Sequence, residues 1–100
     1  MEAPRLRERP ALVIGAPPAP KQIELAWVLM ITSSANAGWP GDISLHDRFA
    51  ECGLVVPCLI RTAKIATVEV RRVRVAGLLP LDLQSQVRIQ LLDSLGIAGE

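Results

Sequence analysis

Aromatic side chains are almost missing: the chain has no tyrosine, one phenylalanine and two tryptophans, Trp27 and Trp39, so its 50% hydrophobic content is nearly all aliphatic. Its 100 residues suffice for one domain only, because a second core needs roughly 50 residues more. A domain of that size leaves roughly a third of its unfolded-state surface wet, so burial of apolar surface against a second copy is expected and a homodimer with it. One histidine, His46, excludes any mechanism in which two histidines share proton transfer. The two cysteines, Cys52 and Cys58, read as buried thiols; with His46 they match no zinc spacing and lack a fourth ligand, so neither metal nor cofactor is expected. A formal net charge of +1 excludes a bulk basic field, so any phosphate contact must be local. The longest apolar run, residues 25–31, is far below the roughly 20 residues of a membrane span. The charged start holds no run of signal-peptide length, so a soluble cytoplasmic protein is expected.

Hydropathy and turn residues divide the chain into short strands followed by a helix. Residues 1–8 carry no sustained period and are expected to be disordered. Residues 11–14 are an apolar strand stopped by Gly15 and the Pro17-Pro18-Ala19-Pro20 loop. Residues 24–33 hold the apolar run 25–31 and end in the hydroxyl-rich Thr32-Ser33-Ser34, the pattern of a buried strand with Trp27 in the core. Gly38, Pro40, Gly41 and Gly53 make residues 35–53 a loop, with a short strand over 43–45. Residues 55–67 are rich in β-branched side chains and hold Pro57, which predicts a strand bulged or at an edge early on. Arg71 and Arg72 fall in the next turn, and alternation over 73–78 predicts one more strand. From Pro80 the spacing becomes helical, with Leu83, Val87, Leu91 and Leu95 on one stripe and Gly96 at the stop. The expected fold is mainly β with a C-terminal helix: one domain over 1–100, a small barrel of about five strands.

The order of these segments resembles the MazF/PemK family of small bacterial toxin ribonucleases, within the CcdB/PemK-like superfamily. Arg9-Pro10-Ala11-Leu12-Val13-Ile14 is similar to the family's Arg-Pro strand, and Ile31-Thr32-Ser33-Ser34 to its hydroxyl-ended strand. Gly53-Leu54 to Arg61, with Lys64-Ile65, resembles the later strand, and residues 78–97 complete a match across nearly the whole chain. The resemblance implies an SH3-like barrel, a homodimer, a cognate MazE-like antitoxin, and metal-independent, sequence-specific cleavage of single-stranded RNA by the toxin of a type II toxin-antitoxin system. Arg9 matches the arginine that contacts the scissile phosphate, and Thr32 the hydroxyl residue that positions or activates the reacting group. Ser33, Ser34, Trp39, Gly41, Asp42 and Arg61 are the RNA-binding candidates that go with this resemblance.

Other readings of the same residues stay open. Arg9 can equally be a surface arginine paired with Glu8 or Glu24, and the Thr32 hydroxyl can bond the backbone. Trp39 suits either a stacking platform for an unpaired base or an anchor beneath its loop. Arg71, Arg72 and Arg74 can track phosphates or form a solvated turn. His46 is a solvated loop residue or an RNA contact. Family members normally begin with a Gly-Asp strand and a glycine-rich loop, whereas only eight residues precede Arg9 here. The chain is therefore expected to lack that strand, as a shortened copy or one whose start lies upstream, with an exposed sheet edge left behind. The alternative function is a non-catalytic or degenerate PemK/CcdB-like protein that only engages an antitoxin or another protein target. The tail over 95–100 has little of the aromatic and acidic character a CcdB-like activity would require.

Overall fold

Four antiparallel strands form one sheet, β1 (Ala11–Gly15), β2 (Leu25–Ser33), β3 (Asp42–Ser44) and β4 (Cys58–Glu69), in the order β1-β2-β4-β3. The helix α1 (Leu81–Ser94) closes one face, and two 3-10 segments, His46–Cys52 and Val70–Arg72, precede and follow β4. This computed structural model describes residues 8–96. The expected disorder of residues 1–8 therefore lies, Glu8 excepted, outside the described residues. Among those described, no helix is long and apolar enough to cross a membrane.

Period-two alternation decides which side chains are buried. Ile31, Ile60 and Ile43 lie side by side across β2, β4 and β3. They face a core of Leu29, Leu45, Cys58 and Ile60 closed by Leu83 and Val87 of α1. Each of these large aliphatics gains roughly 1.5–3 kcal/mol from full burial. The helix stripe is confirmed at Leu83, Val87 and Leu91, while Leu95 falls past the last helical residue and is exposed. Pro80 is the N-cap, and Gly96 takes the left-handed conformation at the stop. Arg48 of the first 3-10 segment bridges Glu51 and Asp82, tying that segment to the first turn of α1.

Three expectations are corrected. Among the described residues there are four strands, not about five: residues 73–78 enter no strand pairing, and Val75 and Leu78 are exposed. Alternation there is real, but a strand exists only where a neighbour supplies its hydrogen bonds, and the ladder ends at Leu25–Glu69. This segment instead crosses the end of the first 3-10 turn, where a Cβ on Gly53 (φ +80°) would sit 2.1 Å from the Ala76 carbonyl oxygen. Trp27 is not core but 43% exposed: it shares the Leu29 and Ile31 face, but the core cluster ends at Leu29 along β2, and its ring lies against Gly15 instead. The third concerns β4, which is central rather than an edge. Pro57 stops just short of it, and its irregularity comes later, where pairing jumps from Leu29–Ile65 to Met30–Arg61 and skips residues 62–64. Finally, the loop over 35–53 holds β3 near the expected place, and a 3-10 segment that its composition did not announce.

Candidate functional site

Since the Ile31–Ile60–Ile43 row faces the core, the rows on either side of it face away from α1. One contains Ala11, Met30, Arg61 and Asp42, and the next contains Thr32, Leu59 and Ser44. The Ile31 N–H donates to the Pro10 carbonyl at 3.2 Å, which carries the β1–β2 ladder one residue past Ala11–Met30 and brings Arg9 alongside Thr32. Backbone register alone thus gathers Arg9, Thr32, Arg61 and Asp42 on one face.

Arg9 is exposed, and no hydrogen bond or ion pair engages its guanidinium among the described residues. Neither alternative partner holds it. Glu8 pairs with Arg74 at 2.7 Å, which holds its carboxyl below the usual range, and Glu24 lies beyond the far end of β2. The Thr32 Oγ1 accepts a hydrogen bond from Asn36 Nδ2 at 2.6 Å rather than bonding the backbone. A hydroxyl has one proton and two lone pairs, so the Thr32 O–H remains free to donate to a ligand. Asn36 is the residue that sequence reasoning missed; its only signal is an amide four residues beyond a threonine, across a turn closed by the Asn36 N–H on the Ser33 carbonyl at 3.0 Å.

Beside this pair the loop before β3 is built around a buried ion pair. Arg61 is 8% exposed. Its Nε and Nη2 reach the two Asp42 carboxylate oxygens at 3.2 and 3.0 Å, and Nη2 also donates to the Ala37 carbonyl at 2.8 Å. Its guanidinium lies 4.2 Å from the centroid of the Trp39 ring. Asp42 also accepts the Trp39 N–H at 2.8 Å. Burial would raise the Asp42 carboxyl, but the hydrogen bonds from Arg61 and Trp39 and the Arg61 charge outweigh it and hold it below the usual range. Gly41 (φ +85°) is packed so closely that a Cβ would stand 2.9 Å from Thr62 Oγ1, which donates to its carbonyl at 2.7 Å.

The RNA-binding candidates therefore separate. Trp39 is 46% exposed. Arg61, Asp42 and Gly41 are committed to holding the loop. Ser33 lies opposite buried Cys58, on the α1 side of the sheet, and its hydroxyl accepts the Ala35 N–H at 3.2 Å. Ser34 is exposed in the turn, with its N–H on the Pro57 carbonyl. His46 is exposed after β3 and donates its N–H to Ser44 Oγ at 3.1 Å. Cys52 and Cys58 are free thiols pushed up by burial. Among the described residues no three His, Cys, Asp or Glu side chains cluster as metal ligands. Of the arginine cluster, Arg71 pairs with Glu69 and Arg74 with Glu8.

An unpaired guanidinium beside an oriented hydroxyl suits an anion that needs both charge and a hydrogen-bond donor. Comparisons with known proteins bear on which anion. The model of a family described as PemK-like, MazF-like toxin of type II toxin-antitoxin system matches residues 5–95. The chain resembles the Mycobacterium tuberculosis toxin MazF-mt6 in structure with a TM-score of 0.70, at 17% identity, over 91% of this chain and 89% of that one. No curated protein matches it in sequence.

Proposed function

Because the chain belongs to the PemK-like, MazF-like toxin family of type II toxin-antitoxin systems, we propose that it is an endoribonuclease that cleaves single-stranded RNA without a metal cofactor. The observation that carries this reading is the placement of Arg9, whose guanidinium has no partner among the described residues, alongside Thr32, whose hydroxyl is oriented by Asn36. RNA carries its own nucleophile: the 2′-hydroxyl gives up its proton to water as it attacks the neighbouring phosphorus. The bond to the 5′-oxygen breaks as that oxygen takes a proton from water, and a 2′,3′-cyclic phosphate is left. Negative charge grows on the equatorial oxygens between the two events. Arg9 meets that charge with a two-donor fork, and the Thr32 O–H donates to the same phosphate group. In this reading the protein acts in the cytoplasm, as a growth inhibitor.

Two partners accompany this function. A cognate antitoxin would bind across the Arg9–Thr32 face through an acidic segment that folds on binding. A second copy of the chain would cover apolar side chains left in solvent, among them Val55, Val75, Leu78 and Ile89. Cleavage of an unstructured RNA in EDTA by the wild type and not by Arg9→Ala tests the reading. A second reading, a toxin relic that binds its antitoxin without cutting, draws on one observation: Arg9 stands at the open start of edge strand β1, with no neighbouring side chain holding it among the described residues. Antitoxin binding without RNA cleavage would decide for it.

A further inference from the structure

The loop around Trp39 is more rigidly built than a surface loop needs to be. Five hydrogen bonds converge on it: three from Arg61, to Asp42 and Ala37, one from the Trp39 N–H to Asp42, and one from the Asp42 N–H back to the Trp39 carbonyl at 3.1 Å. A sixth, from Thr62 to Gly41, pins its end. The result is an indole with a guanidinium against one face and 46% of the residue in solvent. A tryptophan serving as an anchor would be turned inward, and Trp39 is turned out.

The geometry points to Trp39 as a one-faced stacking platform for a single unpaired nucleobase, with Arg61 as the positioning residue that holds the ring from behind. This deepens the RNA-cleavage reading and rests on it for the identity of the polymer. Three features favour a base over other occupants. The guanidinium already behind the ring makes the open face a poor site for a second cation, which leaves a neutral flat group as the fitting partner. Base stacking on an aromatic side chain tolerates any base, because each has a π-face. Position agrees as well: the Arg61 row lies two residues along the sheet and one strand across from Thr32, about 8 Å by ordinary strand spacings. A nucleotide whose phosphate meets Arg9 and Thr32 can therefore have a neighbour whose base reaches the loop.

The platform can be tested apart from cleavage. In a Trp27→Phe background Trp39 is the sole tryptophan, so its emission reports on its own surroundings. The probe is a short unstructured oligonucleotide with 2′-deoxyriboses, which lacks the attacking hydroxyl, together with copies in which one position at a time is abasic. Expected are quenching of Trp39 emission, protection of the ring from acrylamide, and one position at which an abasic residue weakens binding roughly 5- to 150-fold, the range for loss of one stacked base. Trp39→Leu should weaken binding of the intact oligonucleotide by a similar factor and make the abasic position indifferent. Arg61→Lys, which keeps a charge beside Asp42 but not the flat contact, should expose Trp39 to acrylamide and raise KM for cleavable RNA more than it lowers kcat. Equal binding by all abasic copies, absence of quenching, or quenching by an acidic antitoxin peptide but not by the oligonucleotide would overturn the platform. If native RNA is not cut while the oligonucleotide still quenches Trp39 at one position, the ribonuclease reading fails and the platform stands.

Discussion

Asn36 donates its side-chain amide to Thr32 Oγ1 at 2.6 Å across the turn that follows β2. The bond occupies one lone pair of the hydroxyl and so directs the O–H toward the open face. Thr32→Val keeps the branch and most of the volume, so the fold should survive while RNA cleavage falls. Asn36→Ala should have a smaller effect, about fivefold to tenfold in rate, because it removes one neutral hydrogen bond. Steady-state cleavage rates beside far-UV circular dichroism check both; an unfolded Thr32→Val protein would mean that the hydroxyl is structural.

The Asp42–Arg61 pair should be much harder to break from one side than from both. The two side chains are 7% and 10% exposed, and removal of one partner of a buried pair leaves the other charge uncompensated at a cost of about 3–5 kcal/mol. Asp42→Ala should therefore lower urea-denaturation stability by about that amount, while Asp42→Ala combined with Arg61→Met should recover part of it. A double variant weaker than the single one would show that the pair is worth more than its charges.

The same pair sets an acid limit. The Asp42 carboxyl is held below its ordinary value in the folded state, so the unfolded chain binds its proton first as pH falls. Its contribution is fully present above the ordinary aspartate range and is lost as pH drops through the lower folded value. Stability measured between neutral pH and acid should decline over that window, and Asp42→Asn should remove this part of the decline. An unchanged pH profile in Asp42→Asn would assign the acid sensitivity to other carboxylates.

At the crossing of residues 52–53 with 76–77, backbone takes the place of side chains. A Cβ on Gly53 would meet the Ala76 oxygen at 2.1 Å, and one on Gly77 the Cys52 oxygen at 2.4 Å. Gly53→Ala also forces an alanine into a left-handed conformation. Both variants should melt several degrees lower than the wild type, and Gly53→Ala should be the more damaged. Thermal melts followed by circular dichroism decide, with Gly96→Ala as a control: it is also left-handed, but nothing lies within 4 Å of its Cβ position.

What could be read from the chain depended on how local the deciding physics was. β2 is legible because its apolar run starts and stops cleanly, but the same continuity hides where the core ends along the strand, and Trp27 lies beyond that end. Residues 73–78 alternate as a strand does, yet alternation is silent about whether a neighbour exists to pair with. The Arg61–Asp42 pair joins residues 19 apart in sequence, and they meet because Asp42 lies opposite Arg61 where β3 pairs with β4; no composition or period encodes that register. Arg9 and Thr32 became candidates only through resemblance, since taken singly they were an ordinary surface arginine and an ordinary strand threonine. Their adjacency is a product of register.

The most direct consequence of that adjacency concerns Arg9. Its guanidinium has no partner among the described residues, so its removal should cost the fold little and should fall on the reaction. Loss of a preorganised donor aimed at developing charge typically lowers kcat about 10²- to 10³-fold. Arg9→Ala should lose cleavage of single-stranded RNA by about that factor, with an unchanged melting temperature. Arg9→Lys should recover little of it, because an ammonium is a point charge that cannot span two phosphate oxygens with a planar fork. His46→Ala should stay within about tenfold of the wild type, since one histidine exposed beyond β3 cannot divide proton transfer with a second. All three are measured in EDTA with one unstructured RNA substrate. Equal activity in Arg9→Ala and the wild type would remove Arg9 from the reaction, while strong loss in His46→Ala alone would transfer proton transfer to His46 and displace charge stabilisation as the main source of rate.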